Sequence, residues 1–336
     1  MTGKTFFKRF LLLCGPVLCM AAALFLGRYP LPAGMVFRVF WSKISGVPGD
    51  FPDIYNTIVL DIRLSRILLG AMVGASLSVS GASYQGLFRN PLVSPAILGV
   101  SSGAGFGAAL GILYFGHSYL VYVLAFVFAI LAVFMSTIIG RIYSVTPTVT
   151  LVLGGVIVSS VFSSLISLVK YAADPYQQLP AIVFWLMGSL ASARYQDIML
   201  AAIPMAAGTC GLLLIRWQIN ILSMGEKEAR TLGVNTTLLR AIVVSCATLA
   251  TAGAVCVSGV IGWVGLVIPH IGRMLVGSDH KALLPASMSL GASYLILVDG
   301  LARTLTGAEI PLGILTALVG APFFVYLLKT TKGGSW

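Results

Sequence analysis

The residues able to do chemistry are few. The 336-residue chain carries ten Asp and Glu, twenty-one Lys and Arg, three His and five Cys. No GxxxxGK[ST] phosphate loop, HExxH zinc motif or GxSxG nucleophile elbow occurs, and no carboxylates pair inside an apolar run. Cys14, Cys19, Cys210, Cys246 and Cys256 lie in apolar segments without a CxxC or a neighbouring histidine, so neither a disulfide framework nor a zinc site is indicated and they read as small core residues. His270, in VIPHIGR, has no sequence partner for ligand binding or proton relay and reads as a hydrogen-bonded structural residue. The chain is not expected to be an enzyme.

Charge concentrates instead in short stretches. In GEKEARTLGVNTT, Gly225 to Thr237, four of the first six residues are charged, in a chain that is 9% charged overall. Ser223-Met-Gly-Glu226 fits a capping box, Glu226 and Arg230 form an i, i+4 pair, Ala229 and Leu232 share a face, Gly233 is a natural stop, and Asn235 can cap the next helix. The expectation is two short helices at a sharp angle, with an apolar ridge of Met224, Ala229, Leu232 and Val234 flanked by charges. Arg63 and Arg66 in RLSR, and Arg303 in LARTL, form a second group, with Asp61 and Glu309 close enough in sequence to neutralise them. TPTVT, Thr146 to Thr150, places hydroxyls beside Pro147 at the start of an apolar run, which suits either a helix start or a constriction.

The elements that must position these groups are membrane helices. A hydrophobic content of 58% and a mean hydropathy of +0.99 leave too little polar surface to coat a soluble globule. The apolar runs approach the ~20 residues a helix needs to cross the hydrocarbon layer and lack the alternation of a barrel strand. Ten spans are expected, at roughly 10–27, 66–86, 92–113, 119–140, 149–169, 198–215, 241–259, 261–276, 284–301 and 312–328. The basic start reads as part of the first span, since no small-x-small cleavage site follows it.

With both termini inside, the cytoplasmic segments hold thirteen basic against three acidic residues, net +10, and the outer segments eight against seven, net +1. This asymmetry accounts for the basic balance without a nucleic-acid partner. SVSG at 78–81 and CVSG at 256–259 hint at an inverted repeat of spans 2–5 and 7–10. Asp197 and Asp299 fall near outer ends, within expected reach of water. Ionisable groups are nearly absent from mid-span, which disfavours a proton- or sodium-driven carrier.

Several long stretches now converge. Arg63 to Gly105, Gly225 to Asn235, Gly262 to Pro285 and Asp299 to Pro322, in this order and spacing, resemble the FecCD family, the permeases of type II ABC importers for iron siderophores, haem and cobalamin. The resemblance covers the chain from about the second span onward. It implies an all-α permease of ten transmembrane helices, treated as one domain over 1–336, in the bacterial inner membrane and paired with a second copy or a homologous permease. It implies two cytoplasmic ABC ATPases, which carry ATP and Mg while this chain binds no cofactor, and a substrate-binding protein outside.

By the same resemblance, residues 222–240 are coupling helices that grip the ATPase through Met224, Glu226, Glu228, Ala229, Arg230, Leu232, Gly233 and Val234. Arg63, Arg66 and Arg303 receive acidic residues of the binding protein, where a guanidinium fork suits a carboxylate. Thr146, Pro147 and Thr148 form a cytoplasmic gate. The expected cargo is a metal chelate, with another cargo such as molybdate, or a stand-alone secondary transporter, as alternatives.

Overall fold

In hydrocarbon every backbone N–H and C=O must find its partner within the segment, so long apolar runs fold as helices. The computed structural model describes residues 3–47, 49–116, 118–141 and 148–330, and among these there are helices and no strand. In chain order they are α1 Gly3–Phe25, α2 Ala33–Ser45 and α3 Asp53–Asn56, which runs through a π-helical stretch, Thr57–Leu64, into α4 Ser65–Phe88. A 3-10 turn, Pro95–Leu98, precedes α5 Val100–Phe115, α6 Leu120–Gly140 and α7 Thr148–Ala172. Then follow α8 Gln178–Met187, α9 Tyr195–Leu214, α10 Arg216–Met224, α11 Glu226–Thr231 and α12 Thr236–Ser258. The chain continues with α13 Val264–Val276, α14 His280–Thr304 and α15 Leu312–Thr330.

Each expected span falls on one of these helices. By length and composition α6, α7, α9, α12 and α14 can cross a membrane, and α1, α5, α8, α13 and α15 contribute shorter apolar stretches. Side chains such as Phe134 and Ile138 on α6, Val149 and Leu168 on α7, and Met199 and Ile203 on α9 project outward, as a surface solvated by acyl chains requires. The chain is a multi-pass helical membrane protein.

The bundle is organised around α4, in which all residues except Leu68, Met72 and Ala75 are buried. Its small residues allow backbone to meet backbone. A side chain at Gly81 would run into the carbonyl of Gly265 on α13, and one at Gly74 into that of Gly291 on α14. The same device joins α5 to α6, where Gly103 lies against the carbonyl of Phe128 and Gly107 against that of Leu124.

Three expectations change. SVSG does not end the second span: α4 continues to Phe88 with Gly81 packed mid-helix, whereas Gly259 caps α12 with φ 68°. The two tetrapeptides therefore occupy unlike positions and do not mark a repeat. The third span does not begin at residue 92, because Pro95 starts a 3-10 turn and Gly99, at φ 87°, breaks it before α5. The cysteines are not uniformly core residues, since Cys256 is buried but Cys210 is exposed on α9.

Basic residues assigned to the inside gather at one end of the bundle. Arg89 approaches Gly225, and Arg141 and Arg240 line one cleft. That end is called inner here, and the end bearing Arg66 outer.

Candidate functional site

At the inner end the polar island is built by local signals. Gly225 adopts φ 140°, ψ 160°, a conformation closed to other residues, and separates α10 from α11. Ser223 is not the cap: it lies in the last turn of α10, where its hydroxyl donates to the Asn220 carbonyl at 2.7 Å, so the expected capping box does not form. The two short helices are accordingly α10 and α11. The C-terminus of α11 closes as expected, with Gly233 at φ 76°, its N–H donating to Arg230 O at 3.0 Å and that of Val234 to Ala229 O at 3.1 Å, a Schellman arrangement. Asn235 Oδ1 accepts from Leu238 N at 3.0 Å and starts α12, a cap that stabilises by roughly 1 kcal/mol.

Glu226 holds α11 in place, accepting from Arg230 at 2.7 Å and from Arg240 of α12 at 3.3 Å. The apolar ridge differs from expectation. Ala229 is fully buried under α11 and Val234 is half-buried, while Met224 and Leu232 are 62% and 60% exposed. Ala229 and Leu232 thus face opposite ways, because the closing turn at Gly233 swings Leu232 outward. The surface presented by the island consists of Met224 and Leu232 among Lys227, Glu228 and Arg230.

At the outer end the three arginines turn inward. Arg63, Arg66 and Arg303 are 2%, 4% and 6% exposed. Arg66 Nε donates to both oxygens of Asp299, at 2.8 and 3.0 Å, and its Nη1 to both oxygens of Glu309, each at 2.9 Å. Arg303 Nε lies 3.2 Å from Asp299 Oδ2, and Arg63 donates to the carbonyls of Leu24, at 2.6 Å, and Tyr29. In this chain alone Asp299 and Glu309 match the buried charge of Arg66 and Arg303, and backbone carbonyls take the donors of Arg63. Asp61 plays no part as a counter-charge: it is exposed, and its carbonyl accepts from Ser65. Asp299 is 2% exposed and out of reach of water, contrary to the reading from its place near a helix end.

Beside this cluster an outer cleft of about 670 Å³ opens between the outer ends of α6, α8, α9 and α12. Tyr119, Tyr122, Phe184 and Trp185 line it, with Arg194 beside the carboxylates Asp197 and Glu309. Of the expected gate, Thr146 and Pro147 lie outside the described residues. Thr148 is the first residue of α7, and Thr150 Oγ1 donates to Gly140 O at 2.7 Å, joining the start of α7 to the end of α6.

The sequence signals missed α10, whose Asn220 joins it to the start of α14 at the inner end. Its Nδ2 donates to Asp279 at 2.6 Å, and its Oδ1 accepts from His280 N at 2.7 Å and lies 2.8 Å from His280 Nδ1. Asp279, exposed at the turn before α14, is held below the usual carboxylate range by the Asn220 hydrogen bond and then by the Lys281 amide. An amide side chain 59 residues from its partner leaves no local pattern to read.

The long apolar helices, with a short charged helix at the inner end of the bundle, define a multi-pass membrane protein. The chain belongs to the FecCD transport family, which its residues 13–330 match, and is the permease component of an ABC importer. It is similar to the molybdate import system permease protein MolB of Haemophilus influenzae, 41% identical over 320 residues that make up 95% of this chain and 94% of that one. It is also similar to the cobalamin import system permease protein BtuC of Halobacterium salinarum, 42% identical over 279 residues, 83% of this chain and 75% of that one. A metal-chelate type ABC transporter solved in an inward-facing conformation matches with a TM-score of 0.84 and 41% identity, covering 95% of this chain and 98% of the other. The stand-alone secondary transporter falls away as an alternative.

Proposed function

We propose that this permease sits in a bacterial inner membrane as one of two copies, receives a metal chelate from an external binding protein and releases it inward when two cytoplasmic ATPases, which carry the ATP and Mg, close beneath it. The observation that carries the coupling is the exposed pair Met224 and Leu232 on the island around α11. Two large apolar side chains, one at the end of α10 and one just after α11, ringed by Lys227, Glu228 and Arg230, form a small anchor with a charged rim. Replacing both with aspartate should abolish co-purification of the ATPase while the melting temperature of the permease stays within 2 °C, roughly the change expected of exposed substitutions. Retention of the ATPase by that variant would refute the assignment.

For the cargo, the outer cleft supports an organic chelate. Its volume of about 670 Å³ falls within the range of small-molecule sites. Its aromatic walls offer stacking area, and among the described residues its lining has one guanidinium against two carboxylates, a poor field for a bare oxyanion. Molybdate is the second reading, favoured by the likeness to MolB. Uptake of iron-55 as a ferric siderophore and of molybdenum-99 as molybdate, in cells expressing the permease with its genomic neighbours, decides between them. Accumulation of molybdate alone would overturn the chelate.

A further inference from the structure

Two polar clusters at opposite ends of the bundle share the same two helices. At the outer end Arg66 begins α4 and Asp299 lies near the end of α14, joined at 2.8 Å. At the inner end His280, the first residue of α14, packs over Gly86 of α4, and Gln85 of α4 accepts from Arg273 of α13. Between the clusters, Gly74 of α4 and Gly291 of α14 bring backbone against backbone, with Ser78 against Gly291. Two helices in backbone contact and pinned at both ends move as one body. With 25 residues at about 1.5 Å each, α14 spans about 37 Å, close to the whole thickness of a bilayer.

The island is fastened to this body by Asn220. Its amide is oriented by its partners' chemistry, because Asp279 as a carboxylate only accepts and the His280 backbone N–H only donates, so Nδ2 must face the first and Oδ1 the second. His280 Nδ1 then carries its proton toward Oδ1. Trp217, one turn earlier on α10, lies under the Lys281 ammonium, 4.0 Å from the ring centroid. His280 is 5% exposed and packs over Gly86 of α4, so the clasp reaches both helices of the pair.

We propose that Asn220 is a positioning residue that makes α10 and α11 move rigidly with the α4–α14 pair, carrying displacement of the cytoplasmic island to the Arg66–Asp299–Arg303 cluster at the outer face. This rests on the ATPase-driven reading above.

The test is a pulsed spin-label distance measurement on the permease in lipid nanodiscs with its ATPase, the five native cysteines replaced by alanine. One label pair joins Lys227→Cys on α11 to Leu305→Cys just beyond α14, and a reference pair joins Lys227→Cys to Met199→Cys on α9. In the parent, trapping with ATP and vanadate should leave the first distance narrow and unchanged while the reference distance shifts. With Asn220→Ala or Asn220→Asp the first distribution should broaden at least twofold, and the reciprocal exchange Asn220→Asp with Asp279→Asn should restore it. A first distance in Asn220→Asp as narrow as in the parent, under both conditions, overturns the proposal, as does failure of the reciprocal exchange to restore it. A parent whose reference distance ignores nucleotide overturns the ATPase-driven reading itself, and with it this proposal.

Discussion

Asp299→Ala is expected to destabilise the permease by about 3–5 kcal/mol, the scale for removing one partner of a buried ion pair. Asp299 is 2% exposed and lies against two guanidiniums, those of Arg66 and Arg303, which are themselves almost completely buried. Without it, one carboxylate, Glu309, remains for two buried cations, and Glu309 reaches only Arg66. Thermal unfolding in detergent should show a large downward shift that 0.5 M salt does not reproduce in the parent, since buried pairs are weakly screened. Glu309→Gln should cost far less, about 1 kcal/mol or under, because that carboxylate is 34% exposed. Replacing Arg66 with methionine and Asp299 with leucine together should recover part of what either change alone loses. A melting temperature for Asp299→Ala equal to the parent's would mean that the cluster is hydrated and open.

The same cluster bears on docking. An acidic partner can reach Arg66 or Arg303 only by displacing Asp299 or Glu309, and the more exposed Glu309 is the one that can yield. The outer face as it stands presents Glu309 and Arg194 at the rim of the cleft.

The legible parts of this protein were those encoded by short spacing. Apolar runs located the helices, because hydrocarbon permits no other way to satisfy their backbone. Gly233 and Asn235 marked the end of α11 and the start of α12, because both act within a turn of themselves, and Glu226 found Arg230 by helical periodicity. The illegible parts were set by contacts across the chain. Arg66 meets Asp299 across 233 positions, so sequence neighbours suggested Asp61 instead. Ala229 was placed on the exposed ridge because periodicity gives a helix its faces but not which face meets the bundle. Ser223 looked like a cap until Gly225, with its positive φ, took the break between helices for itself. The short helices α2, α8 and α10 escaped notice because they fall outside the lengths by which spans were sought.

Gly81→Val should be among the most damaging single changes in the bundle. The Cβ it introduces would coincide with the carbonyl of Gly265, and Gly265 is itself confined by Pro95 and the Leu77 carbonyl, so neither side can retreat. Overpacking typically costs about 1–3 kcal/mol when side chains can adjust. Here the obstruction is backbone on both faces of the most enclosed helix, so the cost should reach or exceed the upper end of that range. Gly34→Ala is the matched control: nothing lies within 4 Å of its added Cβ and it sits in α2, so it should be neutral or stabilise by up to about 1 kcal/mol. Size-exclusion profiles and melting temperatures of the two variants decide the matter, with Gly81→Val expected to aggregate or to melt well below the parent and Gly34→Ala to overlay it. If Gly81→Val melts within 2 °C of the parent, α4 and α13 are not in backbone contact. The rigidity of the α4–α13–α14 core would then have to come from the polar fasteners at its ends alone.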